Sequence, residues 1–591
     1  MALSNPFCPL PLINQFVSFV LVFFAGGRSG GGVDQRRLPA ASIPSFICGD
    51  AIVPDREHST SAVNTVSWLP GGIRLNPRIT LSVLLIAALA ALYLPLARYP
   101  FVQDDWALLY KCVFLPGQTV LHDFLSPART LFFRPAGLLY CAIVYLAFGL
   151  NPAGFHLLAF TLLALSSFLV VSIAQQCTDD PLVAWGSGFA YACAATVHLE
   201  PQMWLVGAFD LGAGACVLFS LLAFLRKNYK TSALAFALAL GFKEAAAPLP
   251  AVLLALVILD EKDGLRFSKR ILLHSRHLVL HAVVLGVYLA CRTDGFSLFG
   301  FPAQHPYAAR LFGGNTVDHI QLYARWGVQA MLPFKNVSFS ESAFLAFLAM
   351  AAITCALVLF LWYRGLRRSG ADWRRPGRLI CFLMLWFLIM ILPPVSLHSQ
   401  VFRYYLTAAL PPLAIMGMVL LRASVESFSR IARFLPAVFF TFIAANVIDG
   451  AAFIQQRISL GVHEGVHVPT REGYNHLMQK SSLVRAVWKP LLEILPSVPP
   501  HSVLLIPGVD TGCFEDRFGP EVWYRDSTLL VSNVVPDSAA SGGTLRIALP
   551  PEDHWKVPPD TPVITVPADR VFHIWFEERG LELLHSDSTK Y

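Results

Sequence analysis

Two adjacent carboxylates, Asp104 and Asp105, stand in the run Phe101-Val-Gln-Asp104-Asp105-Trp106, a few residues beyond the first long apolar stretch of the chain. Side by side at a membrane surface they repel each other and lose hydration unless something uses them. A carboxylate so placed can take a proton from an acceptor hydroxyl or bind a cation. Asp104 can also cap a helix starting at Trp106, a common use of Asp. Cationic groups follow. Arg134, in Phe133-Arg134-Pro135, offers the charged fork that suits phosphate oxygens, or else lies as a snorkelling arginine at headgroup level. His156 ends the run Gly149-Leu-Asn-Pro-Ala-Gly-Phe-His156, where a structural role serves as well as a chemical one. Then come His198-Leu-Glu200-Pro201, Asp210 inside an apolar stretch, Lys243-Glu244, and Ser396-Leu-His398 leading to Arg403-Tyr404-Tyr405. Carboxylates inside membrane spans are costly and usually mark function, while Lys243 and Glu244 can simply neutralise one another.

The elements that position these residues follow from composition. The chain has 591 residues, 55% of them hydrophobic and only 14% charged, against about 25% charged in soluble domains. Repeated continuous apolar stretches mean a polytopic membrane protein built of helices, because strands of a barrel would alternate in polarity. Spans are predicted at 79–97, 155–175, 182–198, 203–225, 231–244, 246–259, 277–291, 342–363, 379–394, 402–421 and 434–454, about eleven transmembrane helices in all. The apolar stretch 135–149 is too short to cross comfortably and is placed as an interfacial helix.

With that placement the basic loops agree with one another. Arg226, Lys227 and Lys230, the cluster from Lys262 to Arg276, the cluster from Arg364 to Arg378, and Arg422, Arg430 and Arg433 all fall on the side of Arg74 and Arg78. The positive-inside rule then puts the N-terminus in the cytoplasm and the C-terminus outside. The net charge of +7 is spent on orientation and needs no nucleic-acid partner. The eleven Cys show no CxxC pair, so neither a disulfide framework nor a zinc site is read. No P-loop appears, which argues against an ATP-driven pump.

Three domains are expected. Residues 1–75 read as a disordered or misassigned N-terminal extension. Residues 76–455 form the all-α transmembrane domain, with a first external loop at 98–154 and a second long external segment at 292–341. Residues 456–591 carry short β-like runs at 502–506, 529–534, 544–549, 562–566 and 571–576, separated by Pro and Gly, and read as a small external α/β domain.

On this topology Asp104, Asp105, Arg134, His156, Glu200, Asp210, Lys243, Glu244, His398 and Arg403 map to one side. Carboxylates and cations gathered at one leaflet fit chemistry on a membrane-embedded, phosphate-linked substrate. The order of the motifs resembles the GT-C superfamily of polyprenyl-phosphate-sugar-dependent glycosyltransferases, and among them the protein O-mannosyltransferases, the lipid A aminoarabinose transferase and the tetratricopeptide-linked mannosyltransferases. The parts are Asp104-Asp105, Arg134-Pro135, Gly149-Leu-Asn151, Gly154-Phe-His156, the H-x-E-P run at His198 to Pro201, Asp210, Phe242-Lys243-Glu244 and Arg403-Tyr404-Tyr405. The likeness covers about residues 79–420.

It implies a catalytic base in the acidic pair, Asp104 or Asp105. It also implies donor-phosphate contacts from Arg134, Lys243 and Arg403, with His156, Glu200, Asp210, Glu244 and His398 in support. A divalent cation occurs in the external loops of some relatives, although no ligand cluster stands out in this chain. Two departures are visible: no tetratricopeptide repeats follow the spans, and Gly207-Ala208-Phe209 stand where an Arg is expected before Asp210.

The expected activity is transfer of a sugar from a polyprenyl-phosphate donor to a hydroxyl of a lipid, glycan or protein acceptor on the external face. The expected location is a bacterial inner membrane with the site facing the periplasm. A transporter or flippase of a lipid-linked or anionic substrate is the alternative. It would require related halves and polar residues near the midplane, and no internal repeat is found.

Overall fold

The computed structural model describes residues 76–115, 133–259, 276–291, 316–335, 374–397, 400–427, 434–463, 476–506, 509, 511–515, 517–532, 539–540, 544–548, 563–577 and 580–584. The N-terminal extension at 1–75 and the predicted span at 342–363 lie outside them.

Among the described residues, five helices are long and apolar enough to cross a membrane: Pro77–Arg98, Pro152–Thr178, Ala208–Leu225, Pro376–Ser396 and Leu435–Ile458. A sixth crossing arises if the bent pair Pro181–Ala192 and Ala195–Met203 counts as one. The chain is thus a helical integral membrane protein. The runs predicted at 231–244, 246–259, 277–291 and 402–421 are helices too, but short ones of 10–17 residues: Tyr229–Phe242, Glu244–Leu259, Val279–Cys291 and Leu410–Val425. At 1.5 Å per residue a 14-residue helix covers about 21 Å, less than a hydrocarbon core of about 30 Å. Among the described residues five or six of the predicted spans are thus full-length, and these four are the shorter helices.

The chain divides into two compact units. The first comprises Met1–Pro95, Phe160–Leu199 and Asp210–Ile454; the second comprises Leu96–Ala159, Glu200–Phe209 and Gln455–Tyr591. In chain order the helices are α1 (Pro77–Tyr93), α2 (Asp105–Phe114), α3 (Pro135–Phe148), α4 (Pro152–Thr178), α5 (Pro181–Ala192), α6 (Ala195–Met203), α7 (Ala208–Leu225), α8 (Tyr229–Phe242), α9 (Leu249–Leu259), α10 (Val279–Cys291), α11 (Thr316–Met331), α12 (Arg374–Ser396), α13 (Leu410–Ser427), α14 (Leu435–His463), α15 (His476–Ile494) and α16 (Phe518–Tyr524).

Within the first unit α5 packs on α13, and α12 on α9 and α13. Its start is set locally: Pro181 occupies the first turn and the Asp180 carboxylate accepts from the N–H groups of Leu182 and Val183, at 2.9 and 3.2 Å. Asp180 also pairs with Arg422. Gly186 lets α5 approach closely, since a Cβ there would strike the Phe439 ring and the Met418 sulfur. The chain breaks by 53° between α5 and α6. Carbonyls freed by a break inside apolar surroundings need partners. Here the Tyr93 hydroxyl donates to the Ala192 carbonyl at 3.0 Å, and His198 Nε2 lies 3.0 Å from the Tyr191 carbonyl oxygen.

In the second unit the predicted β-like runs are strands. β1 (Val503–Leu505) lies parallel between β2 (Leu530–Ser532) and β6 (Val571–Glu577), with β7 (Gly580–Leu584) antiparallel to β6. β3 (Ala539–Ala540), β4 (Thr544–Ala548) and β5 (Val563–Pro567) form a separate antiparallel sheet. Val503, Leu505, Val566 and Val571 make the local core, and α15 packs against β7. The sequence 96–159 belongs to this same unit, so the tail and the acidic run Phe101 to Trp106 share one packed body.

Candidate active site

The acidic pair separates into two different environments, both within the second unit. Asp105 opens α2 and its side chain is fully buried. One carboxyl oxygen accepts from the Val102 N–H at 3.1 Å and the other from the Val206 N–H at 3.2 Å. Burial pushes this carboxyl well above the usual carboxylate range, against the pull of those backbone donors, and the neighbouring Asp104 charge adds to the rise. Asp105 is thus committed to holding the 102–105 turn against the 205–206 turn.

Asp104 sits at the N-cap position in helical geometry but makes no side-chain capping hydrogen bond, so the capping role open to it in the sequence is not taken. It is exposed. The surrounding protein still raises its carboxyl above the ordinary range by desolvation. Its own backbone amide and the charges of Lys480 and Arg134 act in the opposite sense. Of the two carboxylates, Asp104 is the one open to a substrate.

Arg134 stands half-buried at the mouth of α3, directly before Pro135 at the first helical position, where proline costs no hydrogen bond. α3 ends at Gly149, whose φ of +58° is natural only to glycine. The chain then turns at once into α4. His156, in the second turn of α4, is buried with Nδ1 2.8 Å from the Gln202 carbonyl oxygen and Nε2 2.9 Å from that of Tyr99. It joins the same two stretches that Asp105 joins. Gly154 is required here because a Cβ would run into the Phe148 ring. Glu200 is half-buried on α6.

The tail completes this arrangement. The Arg485 guanidinium donates to the Arg98 carbonyl at 2.6 Å and lies 5.2 Å from the Tyr99 ring centre. The Ser481 hydroxyl donates to the Pro100 carbonyl at 3.1 Å, and the Gln103 N–H donates to the Cys513 carbonyl at 2.9 Å. Trp106 is buried edge-on against Trp488 and Trp523, at 5.1 and 5.4 Å between ring centres.

The remaining candidates belong to the first unit. Asp210, in the first turn of α7, and Lys243, just beyond α8, are both buried and form an ion pair at 2.6 Å. Lys243 also lies 5.2 and 5.0 Å from the Tyr404 and Tyr405 ring centres. Glu244 is half-buried at the start of the next short turn. Arg403 stacks on Trp326 of α11 at 5.0 Å and donates to the Gln329 side-chain oxygen at 3.1 Å. His398 lies outside the described residues.

Two features had no counterpart in the sequence reading. Lys480 comes from α15, hundreds of residues from Asp104, and nothing in the sequence links them. Lys335 is buried and donates to Asn446 Oδ1 at 2.9 Å, with Asp449 Oδ2 at 3.4 Å. That cluster did leave a signal: Asn446 and Asp449 interrupt an apolar span. As for a divalent cation, no three His, Cys, Asp or Glu side chains gather among the described residues.

No family model matches the chain, and no curated protein matches it. Among solved structures it is similar to ArnT from Cupriavidus metallidurans, both in the apo state and bound to undecaprenyl phosphate. Each likeness has 13% identity and a TM-score of 0.45, covering 77% of this chain and 86% of that one. So distant a likeness leaves the chemistry to be argued from the residues themselves.

Proposed function

We propose that the chain is a GT-C-type glycosyltransferase that moves a sugar from a polyprenyl-phosphate donor to a hydroxyl of a lipid, glycan or protein acceptor on the external face. Asp104 is the base. It takes the proton as the acceptor oxygen attacks the anomeric carbon. The bond from that carbon to the phosphate oxygen breaks, and the lipid phosphate leaves with the electron pair, inverting the centre. A leaving dianion at low dielectric requires fixed positive charge, and in the unit that carries Asp104 the cation assigned to that part is Arg134. The topology is N-in and C-out, with the tail outside and the site facing the periplasm of a bacterial inner membrane.

The observation that carries this reading is the division of labour in the acidic pair: Asp105 is enclosed by backbone donors, whereas Asp104 is open and has Arg134 near enough to act on its charge. A general base must be both reachable and able to ionise, and Asp104 alone of the pair is reachable.

The test uses full-length protein in proteoliposomes supplied with radiolabelled polyprenyl-phosphate sugars. Asp104→Asn is expected to lower transfer by about 10²-fold or more. Transfer at the wild-type rate by that variant would overturn the assignment. Movement of the lipid across vesicles by wild type, without sugar transfer, would establish the transporter instead.

A further inference from the structure

Gln103, directly before Asp104, stands in the left-handed region with φ +53°. Residues other than glycine rarely adopt that conformation, and they keep it only where the surrounding structure fixes them. Here the tail does so. The Gln103 N–H donates at 2.9 Å to the carbonyl of Cys513, in the short turn Thr511–Phe514, and the Gln103 carbonyl accepts the Trp106 N–H at 2.9 Å. The residues before it are tied as closely. Arg485 donates to the Arg98 carbonyl, His156 meets that of Tyr99, Ser481 donates to that of Pro100, and the Asp105 carboxyl accepts the Val102 N–H.

The turn at 103 sorts the two carboxylates. It folds the chain back, so that Asp105 returns to the Val102 N–H and both residues are fully buried. Asp104 is left exposed between them. Relaxing φ of Gln103 to a helical value near −63° would swing Asp104 and the start of α2 by about 115° relative to the tied stretch 98–102. The outward setting of Asp104 and the inward setting of Asp105 therefore depend on one bond.

We propose that Gln103 is a positioning residue for Asp104: the tail, through the Cys513 carbonyl, locks a left-handed turn at 103, and that turn holds the Asp104 carboxylate out to the substrate. The role belongs to the backbone conformation at 103 and not to the amide side chain. This rests on the reading of Asp104 as the base and adds how the base is aimed. A catalytic group displaced by about 1 Å loses roughly 10²-fold in rate. Donor binding does not pass through Gln103, so the loss falls on kcat and leaves KM in place.

The test ranks substitutions at 103 by their tolerance of positive φ, in full-length protein supplied with labelled polyprenyl-phosphate sugars. Gln103→Gly and Gln103→Asn accept the left-handed region and are expected to keep kcat within about threefold of wild type. Gln103→Val, β-branched and unsuited to that region, is expected to lower kcat by about 10²-fold at unchanged KM. Gln103→Thr repeats the test with a polar β-branched side chain should the Val variant fold poorly. A Gly variant as slow as the β-branched one would place the role in the side chain and overturn the proposal, as would a folded β-branched variant at the wild-type rate. Hydrogen exchange of the peptide covering 99–106, in lipid nanodiscs, needs no donor. It is expected to quicken by about tenfold in the β-branched variant, and unchanged exchange would also overturn the proposal. The two readings fail separately: an Asp104→Asn variant that still transferred sugar would remove the base while leaving the exchange pattern standing.

Discussion

Asp105 and His156 cross-link the same two stretches of backbone from opposite kinds of chemistry. The carboxylate accepts N–H groups from Val102 and Val206, and the imidazole meets carbonyls of Tyr99 and Gln202. Asp104 is carried on the first of those stretches. Its position is therefore set twice, once by an acceptor and once by a donor.

A neutral imidazole donates only one hydrogen bond, so holding both carbonyls at once takes both ring protons. His156→Phe fills the space and donates none. Each buried carbonyl left unpaired costs about 1–3 kcal/mol, so the melting temperature in detergent should fall clearly. A Phe variant as stable as wild type would show that one or both contacts contribute nothing.

The Asp210–Lys243 pair is buried at both ends. Removing one partner from such a pair leaves an uncompensated charge and costs about 3–5 kcal/mol, whereas replacing both is often near neutral. Asp210→Asn should therefore destabilise more than the double substitution Asp210→Asn with Lys243→Met. A double-mutant cycle on thermal unfolding measures this, and additive losses would contradict it.

Gly154 should tolerate no side chain. Its Cβ would strike Phe148 at the close of α3, and overpacking of this kind typically costs about 1–3 kcal/mol. Gly154→Ala is expected to lower the melting temperature, and Gly154→Ala with Phe148→Leu to recover part of the loss. A silent Gly154→Ala would mean that α3 and α4 can part without penalty.

Much of the architecture was legible because it depends on local pattern. The short strands from Val503 to Glu577 follow the β-like runs between Pro and Gly, and the apolar stretch 135–149 is the helix α3. The count of crossings was less legible, since an apolar run of 14 residues such as Tyr229–Phe242 reads alike whether it crosses or only packs. Within the site, Asp104, Asp105 and Arg134 were marked by residue type and neighbours. Their roles were not. Which carboxylate is open depends on the Val206 N–H about a hundred residues away, and the approach of Lys480 depends on tertiary packing of the tail. Asp449 and Asn446 were visible as polar residues within a span; their meaning needed Lys335.

Because the second unit is assembled from residues 96–159, 200–209 and 455–591, the acidic loop leaves the ribosome long before the segment that fixes it. About 370 residues of synthesis separate Asp105 from the start of α15, roughly 20–75 s at about 5–20 residues per second. Throughout that interval Trp106 and the carbonyls of Arg98 and Pro100 await partners that do not yet exist. Until α15 is made, the stretch that carries Asp104 is therefore without the contacts that hold it on that side.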